Sequence, residues 1–148
     1  MKPLAITHYT VASALGLGLA PTLAALRAGR TGLAPRDFET AYIGTWLGVV
    51  DAVEAVTLAP ELADHDCRNN RLAELGLRAD AFSSSVRRAA ARFGAARIGV
   101  FLGTSTSGIL QTELAYRRRD AVSGALPADL HYAETHNTYS VARYVRQA

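Results

Sequence analysis

The apolar residues of this chain follow two patterns. Recurrence at three- and four-residue spacing predicts helices, and unbroken or small-residue runs predict strands. The clearest helix is "RADAFSSSVRRAAARFGAA": Phe82, Val86, Ala89, Ala90 and Phe93 form one stripe, with Gly94 near its end. "GLAPTLAALRAGRTGL" predicts a shorter helix, with Pro21 suited to its first turn, Leu23 and Leu26 sharing a face, and Gly29 as its stop. In "PELADHDCRNNRLAELGL", Leu62, Leu72, Leu75 and Leu77 lie among charges and "RNN" interrupts them, which predicts a helix, or a turn and a helix. "GILQTELAYRRRD" predicts a helix with Ile109, Leu110 and Leu114 inward and Arg117 to Arg119 toward solvent. After the loop "AVSGALPADL", "NTYSVARYVRQA" predicts a last helix with Val141, Tyr144 and Val145 in spacing, running to the final residue without a glycine stop.

Strand signals are fewer. "LAITHYTVASALG", Leu4 to Gly16, is rich in β-branched and small residues and reads as an opening strand and turn. Within Phe38 to Thr57, which has few helix signals, "GTWLGVVDAV" is compatible with a strand. "RIGVFLG" is apolar on both faces, as in a parallel strand covered on either side. The fold class is therefore α/β, with helices layered on a sheet. Two convincing strands and one doubtful one are too few to flank "IGVFLG" on both edges. The expectation is an incomplete piece of a larger layered fold, and neither an internal repeat nor a low-complexity tract is present.

Composition narrows the class. With 148 residues, 49% apolar and 20% charged, the chain has the make-up of one compact domain or part of one. Its 16 basic and 13 acidic residues give a net charge of only +3, and the arginines are scattered, so a nucleic-acid partner is not expected. A single cysteine, Cys67, excludes an internal disulfide and suits a reducing compartment. Apolar runs fall short of a membrane span, and Pro3 with His8, Tyr9 and Thr10 spoils a signal peptide. A cytoplasmic protein without membrane attachment is the expectation.

The candidate chemistry is sparse. Gly16-Leu17-Gly18 begins a dinucleotide fingerprint, but Pro21 stands where close helix–strand packing needs the third glycine. The turn "GTSTSG", Gly103 to Gly108, lacks the Gly-Lys pair of a phosphate-binding loop. It also lacks the second glycine of a nucleophile elbow, where Ser107 stands. Thr104, Ser105 and Thr106 are left to line a pocket at a strand's C-terminal end, or to form a structural turn. A hydrolase using Ser105 or Ser107 would need a histidine and an acid that no motif places. His131, Glu134 and His136 lack the ligand spacing of a metal site, and no metal or bound cofactor is expected. His65, Asp66 and Cys67 form a second polar knot, with Cys67 read as a plain packed or half-exposed cysteine rather than a nucleophile.

Taken together, several segments resemble the N-terminal half of a β-ketoacyl-[acyl-carrier-protein] synthase, a condensing enzyme of the thiolase fold. "ITHYTVASALGLGLAPTLAALRAGRTGL" is similar to that family's first strand and its "W-x-x-L-x-x-G-x-S-G" helix. "RIGVFLGTSTSGI" resembles its "R-x-G-x-x-x-G-[ST]-x-x-G-G" strand and turn, and "HNTYSVARYVRQA" the helix before its "L-G-x-x-G-P" segment. From "GTSTSGILQTELAYRRRD" onward the chain is most similar to synthases of aryl-polyene-type gene clusters. The resemblance covers Leu4 to Ala148.

It implies decarboxylative Claisen condensation in fatty-acid, polyketide or aryl-polyene biosynthesis. The partners it implies are an acyl carrier protein, which presents the acyl-phosphopantetheine, and a second synthase subunit in a homodimer or heterodimer. The family's catalytic cysteine and two histidines would lie beyond Ala148, and Cys67 is outside the family's active-site motif. No catalytic residue is carried over, and the chain alone is expected to be inactive. The resemblance makes "GTSTSG" a wall of the acyl pocket, with Thr104 beside it. Thr106 stands where an apolar side chain commonly touches the acyl tail, which suits a shorter, conjugated or more polar chain. Tyr132 falls where an aromatic residue reaches across the dimer, and it is the third acyl-pocket candidate. The alternative is a non-catalytic association domain that pairs with a partner half.

Overall fold

The computed structural model describes residues 3–38 and 42–148. Residues 39–41, at the start of the Phe38 to Thr57 stretch, lie outside the described residues, as do residues 1–2. Helices and short strands are both present, so the chain is of mixed α/β class. It divides into two compact units, one drawn from Met1–Val53 and Leu75–Arg97, the other from Glu54–Glu74 and Ile98–Ala148. Among the described residues, no helix is long and apolar enough to cross a membrane.

The first unit opens with a hairpin. β1 (Ala12–Ser13) pairs antiparallel with β2 (Gly16–Leu17), matching Ala12 to Leu17 and Ser13 to Gly16. The Ser13 hydroxyl accepts from the Leu15 N–H at 3.2 Å and closes the turn. α1 (Leu19–Arg27) follows with Pro21 in its first turn, where a missing N–H costs nothing. Gly29, in the left-handed region at φ +61°, donates to the Leu26 carbonyl and ends it. β3 (Leu33–Pro35) then pairs antiparallel with β4 (Trp46–Gly48), in register from Leu33 with Gly48 to Pro35 with Trp46. At Gly32 a side chain is impossible, because a Cβ would sit 2.6 Å from the Ala14 carbonyl carbon. The unit is completed by α3 (Phe82–Phe93), which ends at Gly94 with φ +89°.

α2 (Arg68–Arg78) gives its first turns to the second unit and its last residues to the first. The second unit further contains a 3₁₀ turn at Pro60–His65, α4 (Ile109–Arg117), α5 (Tyr132–Thr135) and α6 (Ser140–Gln147). Its core combines Val56, Leu58, Leu62, Cys67, Ala115, Val141 and Tyr144 with the buried polar residues His65, Asn70, Ser107, Thr135 and Ser140. Asn70, Thr135 and Ser140 hydrogen-bond to backbone carbonyls within this core, whereas the Ser107 hydroxyl has no hydrogen-bond partner among the described residues.

The strand expectations are corrected in two places. Of Leu4 to Gly16, Ala12–Ser13 forms a ladder with Gly16–Leu17, and residues 4–11 belong to no strand, although the Val11 carbonyl accepts from the Gly18 N–H at 2.8 Å. Residues 98–104 join no ladder among the described residues, so the parallel strand expected at "RIGVFLG" is absent. Both sheets are antiparallel and two-stranded. The physical reason is that a strand needs a neighbouring strand to take its backbone groups, and among the described residues neither residues 4–10 nor residues 98–104 pair with one. The helix faces also differ from expectation. Ile109, Leu110 and Leu114 of α4 are each exposed by more than a third, and the small Ala115 is its buried residue. On α3 the stripe residues Phe82, Ala89 and Ala90 are half-buried, Val86 and Phe93 are exposed, and Ser85 is the one buried residue. On α6, Val141 and Tyr144 are buried as their spacing predicts.

Candidate functional site

The turn "GTSTSG" divides in two. Thr104, Ser105 and Thr106 are exposed, while Ser107 and Gly108 are buried. The exposed half is tied down by hydrogen bonds to one carbonyl. The Thr104 hydroxyl donates to the Thr106 carbonyl oxygen, and the Asn69 amide donates to the same oxygen at 2.8 Å. The buried half leads into α4, whose first turn closes when Gln111 N–H donates to the Gly108 carbonyl at 3.1 Å.

Beneath the turn lies a convergence on the carbonyl of Thr135. It accepts from the Gly108 N–H at 2.8 Å and from the Ser140 hydroxyl at 3.0 Å. The Cys67 thiol approaches the same oxygen at 3.9 Å. Gly108 has no room for a side chain, since a Cβ would lie 2.9 Å from both that oxygen and the Cβ of Cys67.

Asn70, fully buried, clamps the neighbouring backbone. Its amide donates to the His65 carbonyl at 2.7 Å and the Glu134 carbonyl at 3.1 Å. "RNN" therefore does not interrupt the helix. Asn69 and Asn70 lie in the first turn of α2 and fasten it to the turn on one side and to α5 on the other. The signal was present in the sequence as two adjacent amides at a helix start, where such side chains bond to nearby backbone.

Cys67 is 0 % exposed. Burial pushes its thiol above the ordinary value of 9.0, the opposing pull of the Asn70 and Asn69 N–H groups being smaller. A catalytic thiolate needs the reverse shift and an open approach. Cys67 is thus a packed core residue.

Tyr132, the first residue of α5, is half exposed, and its ring lies 5.0 Å from that of His136. No hydrogen bond or ring contact joins it to Thr104 or Thr106 among the described residues. His131, Glu134 and His136 do not converge either. His131 Nε2 lies 3.5 Å from Asp64, Glu134 pairs with Arg143 at 3.2 Å, and His136 Nδ1 bonds to the Thr112 hydroxyl. Among the described residues, no three His, Cys, Asp or Glu side chains are grouped to hold a metal ion.

A polar recess of about 190 Å³ adjoins α5, with Asp64, Asp66, Asp129 and His131 in its wall. Its charges pair off. Arg118 forks onto Asp129 at 2.8 and 3.2 Å, holding that carboxyl below the usual carboxylate range. Arg71 forks onto Asp66 at 2.6 and 2.7 Å. Two of the three wall carboxylates, Asp66 and Asp129, are thus held by arginines.

Serine chemistry is no better served. Ser105 is exposed, and the Ser107 hydroxyl is buried with no hydrogen-bond partner among the described residues. No protein-family model matches the chain, and neither a curated protein nor a solved structure matches it.

Proposed function

We propose that this chain is the N-terminal part of a β-ketoacyl-[acyl-carrier-protein] synthase of the thiolase-like layered fold. The reading rests on the ordered motifs of the sequence. The observation that most supports it is the junction at Gly103–Gly108. An apolar run, residues 98–102, enters a hydroxyl turn, and the turn enters α4 through Gly108, where a Cβ would crowd the Thr135 carbonyl oxygen and the Cys67 side chain. In this proposal Thr104 and Thr106 wall the acyl pocket, and Tyr132 closes it in a homodimer or heterodimer. The acyl carrier protein delivers the phosphopantetheine-borne chain, in the cytoplasm, and this chain's residues bind and shape rather than react.

The chemistry of condensation requires a thiolate and an oxyanion hole. The packed state of Cys67 leaves this chain without such a thiolate, in keeping with a nucleophile that follows Ala148. The test is the coding frame past Ala148. It is expected to continue into an "L-G-x-x-G-P" segment and a cysteine turn, and a stop codon at that point would overturn the proposal. A stop would instead favour a non-catalytic association domain, a reading supported by the unpaired run at residues 98–102, in which Phe101 is 97 % exposed.

A further inference from the structure

We propose that the groove along α3, in the first unit, binds a single-chain amphiphilic anion such as a long-chain carboxylate. The groove has a volume of about 560 Å³, within the usual size of small-molecule sites. Phe82, Val86, Ala89 and Phe93, spaced four, three and four apart, line it as one apolar stripe. Thr7 and His8 line it as well.

Charge decides the occupant. α3 carries no acidic residue, and Arg88 and Arg92, one helical turn apart, both line the groove. No carboxylate lies within ion-pair distance of either among the described residues. Both guanidinium groups are nevertheless oriented. Arg88 donates to the Ser85 hydroxyl at 2.8 Å, and Arg92 sits 4.9 Å from the centre of the Phe93 ring. Each keeps further N–H donors for an anion.

Apart from the two arginines, the polar side chains lining the groove are Thr7, His8 and Ser85, and the Ser85 hydroxyl already accepts from Arg88. A ligand with one charged end and an apolar body satisfies this surface better than a base or a peptide backbone, whose polar atoms would lose water without replacement. Each methylene laid on the stripe tightens binding by about fourfold. This inference does not rest on the synthase reading, whose pocket residues belong to the other unit.

Isothermal titration of the 148-residue chain with dodecanoate below its micelle concentration tests it. Saturable binding is expected, weakening with added salt, and dodecanol or dodecyltrimethylammonium is expected to bind about tenfold more weakly. The R88Q/R92Q variant, its fold checked by circular dichroism, should lose about tenfold for dodecanoate and nothing for dodecanol. Equal affinity for the three amphiphiles, salt-independent binding, or unchanged affinity in the variant would overturn the proposal. So would uptake on phosphatidylglycerol vesicles without uptake of monomeric dodecanoate.

Discussion

Gly108 and Thr135 meet backbone to backbone: the Gly108 N–H donates to the Thr135 carbonyl oxygen at 2.8 Å, and a Cβ on Gly108 would press to 2.9 Å from that same oxygen. The φ of Gly108 is −71°, open to any residue, so the demand for glycine is one of space and not of backbone conformation. Gly108→Ala is expected to destabilise the second unit by about 1–3 kcal/mol, the usual cost of overpacking. Urea denaturation measures it, and a variant as stable as the parent would show that the carbonyl and Cys67 can move aside.

Cys67 gives a pH-dependent prediction. Its folded-state pKa is raised by burial, so the folded chain holds the thiol proton more tightly than the unfolded chain does. The stabilisation is fully present below the ordinary value of 9.0 and is lost as pH rises from there through the folded pKa. Thermal melts between pH 7 and pH 10 should fall more steeply for the parent than for Cys67→Ala. Labelling by a thiol reagent should be slow in the native chain and rapid in denaturant, and rapid native labelling would contradict the packed assignment.

Asp80 caps a helix it does not belong to. Its carboxylate accepts from the Leu19 N–H at 3.0 and 3.2 Å, at the start of α1, and from the Thr10 hydroxyl at 2.9 Å. Asp80→Ala is expected to cost about 1 kcal/mol and to speed hydrogen exchange in the first turn of α1. The neighbouring Ala81 holds φ +56°, a left-handed conformation that costs a side chain about 1–2 kcal/mol. Ala81→Gly should therefore be neutral or stabilising by up to about 1 kcal/mol once glycine's greater unfolded entropy is counted. A clear loss of stability in Ala81→Gly would show that the methyl group packs where the backbone argument ignores it.

These pairs also mark what could be read from the sequence. α1, α3, α4 and α6 were legible because three- and four-residue spacing, Pro21 near a helix start and Gly29 and Gly94 at helix ends act within a few residues. The strands were not, because pairing is a long-range event. "IGVFLG" has a strand's composition, yet residues 98–104 find no neighbour, while the less promising Trp46–Gly48 finds one in Leu33–Pro35. The turn at Gly103–Gly108 was visible as a feature. Its anchoring was not, since the Thr135 carbonyl and the Asn69 and Asn70 amides lie far from it in the chain. The link between Asp80 and α1, spanning 61 residues, was hidden for the same reason.

The central claim, that this chain is the non-reacting N-terminal part of a condensing enzyme, is tested most directly by intact-protein and peptide mass spectrometry after incubation with an acyl-loaded carrier protein. The protein expressed from the frame extended past Ala148 is expected to gain one acyl group on a cysteine of the added segment, with Cys67 unmodified, and the chain ending at Ala148 is expected to gain none. Acylation of Cys67, or an extended protein that takes up no acyl group at all, would contradict the account.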